Sequence, residues 1–95
     1  MSDNFDKIVS YIGLAQRAGA VLYGEDVIED KLKSAKLLLI DANAPEKYVI
    51  RVEKKFNSLP TFRLDGLREA LHRDNVNAVA ITNENLANAI IDILR

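Results

Sequence analysis

Apolar residues recur every three or four positions from Asn4 to Ala18. Phe5, Ile8, Ile12 and Ala15 share one face, and Val9 and Leu14 widen it. That period predicts an amphipathic helix. Gly19 ends it, because glycine takes the positive φ of a helix end without a Cβ penalty. Val21-Leu22-Tyr23 reads as a short strand. Gly24 then opens a second helix over Glu25 to Ala35, with Val27, Ile28, Leu32 and Ala35 inward. Its first turn holds Glu25 and Asp26, and Lys33 and Lys36 lie near its end, a polarity that suits the helix dipole.

Leu37-Leu38-Leu39-Ile40 is a continuous apolar run of strand length, as expected of a strand covered on both faces. Asp41 to Ala44 is a loop, and Pro45 sits where a first helical residue is expected. Val49, Val52 and Phe56 repeat at helical spacing within a third helix from Glu46 to Asn57. Thr61 to Leu64 is a strand. Asp65 is a candidate cap for a short helix carrying Leu67, Ala70 and Leu71. Arg73-Asp74-Asn75 is a turn before the buried strand Ala78 to Ile81. Thr82 and Asn83 are candidate caps for a last helix with Leu86, Ala87, Ile90, Ile91 and Leu94 inward. Helices that alternate with strands along a whole chain pack on both faces of one sheet. The fold class expected is α/β: a three-layer α/β/α sandwich with a four-stranded mixed central sheet, formed by residues 1–95 as one domain.

Composition narrows the function classes. The chain has 95 residues, is 48% hydrophobic and 28% charged, and carries a net charge of -1. That balance argues against a strong non-specific nucleic-acid binder, yet leaves room for a small specific RNA site, since local donors set recognition. Cysteine is absent, which removes disulfides, thiolate metal sites and thiol nucleophiles. Met1-Ser2-Asp3-Asn4 is polar, and no apolar run approaches a membrane span, so a cytoplasmic location with no membrane partner is expected. His72 is the only histidine and has no nucleophile or partner motif beside it. Asp41 ends a buried strand, where α/β folds often bind ligands, but there is no Gly-rich phosphate loop and no second acid at useful spacing. An enzyme, a cofactor, a metal and a small-molecule substrate are therefore not expected. Tyr11, Tyr23 and Tyr48 do not form an interleaved basic-aromatic stacking platform. Arg51, Lys54 and Lys55 fall on the solvent side of the third helix, where they suit solubility first and contact with an RNA backbone second.

One ordered set of pieces goes further. Leu14-Ala15 is followed by Arg17-Ala18-Gly19, then Gly24-Glu25, then Ala35-Lys36-Leu37. Ala70-Leu71, Asp74-Asn75-Val76 and Val79-Ala80-Ile81-Thr82 complete it. In order and spacing this resembles the ribosomal protein L-seven-Ae / L-thirty-e / Gadd-forty-five superfamily, and within it the bacterial YlxQ-like branch. The resemblance runs from about Ile12 to Ile91.

It implies a non-enzymatic, ribosome-associated RNA-binding fold that recognises structured, kink-turn-like RNA. The start of the second helix and two neighbouring loops would form the surface. The residues so implied are Gly24, Glu25, Asp26, Lys31, Asn43, Arg73 and Asn75. Family members with strong RNA binding carry Asn and Glu where this chain has Asp26 and Val27, and Lys where it has Asp30. Gln16 and Ala20 replace basic residues, and Arg68 and His72 replace glycines. Lys31 is one residue, and about 100° of helix rotation, from the lysine position. These departures favour acid over base, so a second expectation stands beside the first. In it, the same fold serves as a protein-interaction module, with Glu25, Asp26, Glu29 and Asp30 facing a basic partner such as a ribosomal protein.

Overall fold

The computed structural model describes residues 3–95, so the first two residues of the polar stretch Met1–Asn4 lie outside it. Five α-helices and four strands follow in the order α1 (Asp3–Arg17), β1 (Val21–Tyr23), α2 (Glu25–Asp30), β2 (Leu37–Asp41), α3 (Glu46–Lys55), β3 (Thr61–Leu64), α4 (Leu67–Leu71), β4 (Ala78–Ile81) and α5 (Glu84–Leu94). The sheet order is β1-β4-β2-β3. β4 runs antiparallel to both β1 and β2, and β2 runs parallel to β3, which makes the sheet mixed.

The two central strands divide the core by side-chain alternation. Leu37, Leu39, Val79 and Ile81 point toward α1, α4 and α5, where they meet Ile8, Ile12, Leu67, Leu71 and Ile90. Leu38, Ile40, Ala78 and Ala80 point the other way, toward Ile28, Val49, Val52 and Phe56 of α2, α3 and the α3 end. Both faces are thus buried, as the unbroken apolar runs require. No helix among the described residues is long and apolar enough to cross a membrane.

Several local expectations change. α2 ends at Asp30, not Ala35, and Leu32–Ser34 form a 3-10 turn instead. Glu29 and Asp30 put negative charge at the negative end of the dipole, and the tighter turn carries Leu32 and Ala35 down to the sheet. Lys33 therefore lies outside α2, whose last turn has no basic residue. Val27 and Leu14 are exposed (43% and 44%), because each sits beyond its helix's buried stripe. α3 stops at Lys55, with Phe56 turning into the core. Pro45 is extended (ψ 138°) and precedes the helix rather than forming its first residue. Gly66 rather than Asp65 precedes α4, in the left-handed conformation. Asn83 caps α5 by accepting from the Leu86 N–H at 2.9 Å. Gly19 (φ 68°) ends α1 as expected, with Ala20 N–H reaching back to the Ala15 carbonyl at 2.8 Å.

Candidate functional site

Antiparallel pairing brings distant loops together. Tyr23 pairs with Val79, and the Gly24 N–H donates to the Ala78 carbonyl at 3.2 Å. The Asp41 N–H donates to Asn77 O at 2.9 Å, and the Ala42 N–H to Leu64 O at 3.1 Å. The end of β1, the end of β2 and the loop entering β4 therefore share one end of the sheet. Gly24, Glu25, Asp26, Asn43, Arg73 and Asn75 belong to the segments at that end. Lys31 does not. It follows α2 at its far end and lines a separate surface hollow with Asp30, Lys33 and Ser58.

Gly24 has φ 89° and ψ 156°, a region essentially reserved for glycine. A Cβ built on it would meet nothing within 4 Å. Its need is therefore conformational, and the space beside it is open. The N–H groups of Glu25, Asp26 and Val27 have no acceptor among the described residues, as befits the first turn of a helix with no side-chain cap.

Glu25 is engaged within the protein itself. Its carboxylate faces α3, where Arg51 Nη1 donates to both oxygens and Lys55 Nζ donates at 3.0 Å. Lys55 also reaches Glu29 at 3.1 Å. The Lys55 and Arg51 hydrogen bonds hold the Glu25 carboxyl below its ordinary value of 4.5. Glu25 in turn holds Lys55 above 10.5. Burial pushes the Tyr48 hydroxyl above 10.0. Glu25 thus brackets α2 to α3. Acids at 25 and 29 opposite bases at 51 and 55 share a four-residue spacing on both helices, which is the sequence signal for this bracket. Asp26 and Asp30 form no ion pair among the described residues.

Arg73 lies with its guanidinium 4.0 Å from the Tyr23 ring centroid. Gln16 donates to the Tyr23 hydroxyl at 3.1 Å and to the Leu71 carbonyl at 2.9 Å, which fixes the ring. The sequence holds no sign of this stack, because its partners are fifty residues apart. Asp41 is 1% exposed and is taken up by the protein itself. It accepts from the Asn43 N–H at 2.8 Å and from the Arg68 N–H at 3.2 Å. Arg68 then donates to Val76 O at 3.0 Å and to Asn77 Oδ1 at 2.6 Å. This chain of bonds ties the Asn43 loop to the loop entering β4, and it gives Arg68 work that a glycine could not do. His72 takes φ 57° at the end of α4, the left-handed position that glycine usually fills. No three His, Asp or Glu side chains converge on a metal position among the described residues.

No protein-family model and no curated protein matches the chain. Among solved structures, it is similar to a protein of unknown function from Bacillus halodurans, at 17% identity and a TM-score of 0.75, over 93% of this chain and 96% of that one.

Proposed function

We propose that this protein is a non-enzymatic RNA-binding protein that takes structured, kinked RNA at the Gly24 end of its sheet. The observation that carries the reading is the convergence of the Gly24 turn, the Asn43 loop and the Arg73–Asn75 loop around an open glycine. An RNA backbone can approach closely only where no side chain stands, and Gly24 offers such a place. A guanidinium laid against an aromatic ring offers a plane for an unstacked base. The resemblance to the L-seven-Ae superfamily supports the same reading, with attachment to a ribosomal or other kinked RNA.

The acidic-face alternative has less support. Two of its four carboxylates, Glu25 and Glu29, already have cationic partners on α3. The test is direct titration of a short kinked RNA helix and a matched straight duplex at two salt concentrations. A kinked-RNA Kd below about 10⁻⁵ M at low salt, weakening as salt rises, is expected. Equal binding to both RNAs, or to neither, overturns the reading.

A further inference from the structure

Lys47, Arg51, Lys54 and Lys55 surround the exposed Ile50 on the outer side of α3, and these five residues line one open cleft with no carboxylate in its lining. Lys47 and Lys54 are seven residues apart, about 10 Å along the helix axis. Neither has an ion-pair partner among the described residues. Arg51 sits between them, its guanidinium 5.3 Å from the Tyr48 ring centroid and its side chain 56% exposed. The row begins beside the candidate site, since Lys47 is four residues beyond Asn43 and Arg51 grips Glu25.

The two helices on this side of the sheet therefore differ in sign at their outer surfaces. α2 exposes Asp26 and Asp30, which repel phosphate. The outer row of α3 is Lys47, Arg51 and Lys54, which attract it, with Arg51 shared with Glu25; Glu46 and Glu53 of the same helix pair with Arg63 instead. A polyanion held at the Gly24 end therefore meets cations along α3 and carboxylates along α2.

We propose that the outer face of α3 is the track for the RNA phosphate backbone. A strand engaged at the Gly24, Asn43 and Arg73 end continues past Lys47, Arg51 and Lys54, with Ile50 against the sugar edge. This rests on the RNA reading above and adds a direction to it. Acidic protein is the competing occupant of such a face. RNA is favoured because the cations form a row continuous with the loop cluster, not an isolated patch.

The experiment uses the full chain and the double substitution Lys47→Gln/Lys54→Gln. Neither side chain has an ion-pair partner to lose among the described residues, and an unchanged circular dichroism spectrum and Tm establishes that the fold is kept. Binding to the kinked RNA is titrated across a salt series. Removing one lysine from a phosphate should flatten the slope of log K against log salt by about 0.7–0.9, so the pair should flatten it by about 1.5. Affinity at low salt should fall roughly tenfold or more, with the preference for kinked over straight RNA kept. If wild type binds and the variant matches it in slope and affinity, the track is wrong and the RNA reading stands. If wild type binds neither RNA, the reading itself has failed and the track goes with it. An acidic Glu/Leu amphipathic peptide serves as the control probe. Binding that is stronger for this peptide than for RNA, and lost in the variant, reassigns the face to a protein and overturns the proposal.

Discussion

α2 and α4 both start just after a glycine with positive φ, and neither has a side-chain cap at that glycine. Their surroundings differ. A Cβ on Gly66 would lie 2.9 Å from the ring of Phe5, and the Arg68 N–H in the first turn of α4 is taken by Asp41. A Cβ on Gly24 would meet open space, and the first turn of α2 has no acceptor for its N–H groups among the described residues. One helix start is a packed joint, filled by the protein's own carboxylate. The other is open to solvent. A glycine one place before a helix is the same mark in the sequence both times. What separates the two is a carboxylate 27 positions away from the helix it serves.

The comparison breaks most visibly at Asp41. Asp41→Ala removes the acceptor for two backbone N–H groups in a site 1% exposed. A loss of about 3 kcal/mol in urea unfolding is expected. A loss below about 1 kcal/mol would mean that water takes over the role and that α4 is no better anchored than α2.

Next in size are the glycines themselves. Gly24→Ala should cost about 1–2 kcal/mol through positive φ, and Gly66→Ala about 2–3 kcal/mol, because its Cβ would also press on the Phe5 ring. Only Gly24→Ala should weaken kinked-RNA binding by the folded protein, by roughly tenfold or more in a titration. Equal binding losses for both variants would erase the distinction between open and packed starts.

A smaller effect of opposite sign is expected where α4 ends. His72→Gly should raise stability by about 0.5–1 kcal/mol, because a left-handed position is relieved of its Cβ. Thermal unfolding reads this, and a lower Tm would show that the imidazole contributes more than its backbone strain costs.

The smallest stability effect belongs to Glu25. Its depressed pKa means that its contribution is fully present above the ordinary value of 4.5 and is lost as pH falls through the lowered one. The Lys55 contribution is fully present below 10.5 and is lost as pH rises through the raised value. The Tm gap between wild type and Glu25→Gln should therefore be flat at neutral pH and close in acid. These are partly exposed pairs, so the gap should stay within about 2 °C. The same substitution frees Arg51 and Lys55, and kinked-RNA affinity should tighten about threefold. Weaker binding would return Glu25 to the role of a base reader.

The layers of this fold are legible in the chain because they depend on near neighbours. Leu37 to Ile40 and Ala78 to Ile81 are apolar without alternation, and both strands are buried on both faces. The helical stripes of α1, α3 and α5 hold for the same reason. The features that a sequence does not display depend on distant partners or on how the chain enters the sheet. The stop at Asp30 reflects the descent of Leu32 and Ala35, not any breaker residue. Glu25 reads as a free first-turn acid because its partners lie 26 and 30 positions on. Asp41 reads as an unsupported strand-end acid because Arg68, its partner, is equally remote in the chain. Gly24, Asn43 and the Arg73–Asn75 loop are named through the family resemblance, and the α3 cations by their helical spacing, whereas the Arg73–Tyr23 stack has no sign in the chain.

That register has a consequence in time. β4 is the only described neighbour of β1 and the partner that makes β2 an inner strand. Yet residues 78–81 follow β1, β2 and β3 in the chain and emerge from synthesis after them. Until they insert, Tyr23 has no Val79 to align it, and the loops at 24, 43 and 73 have no common edge. The surface is complete only when residues 78–81 lie between β1 and β2.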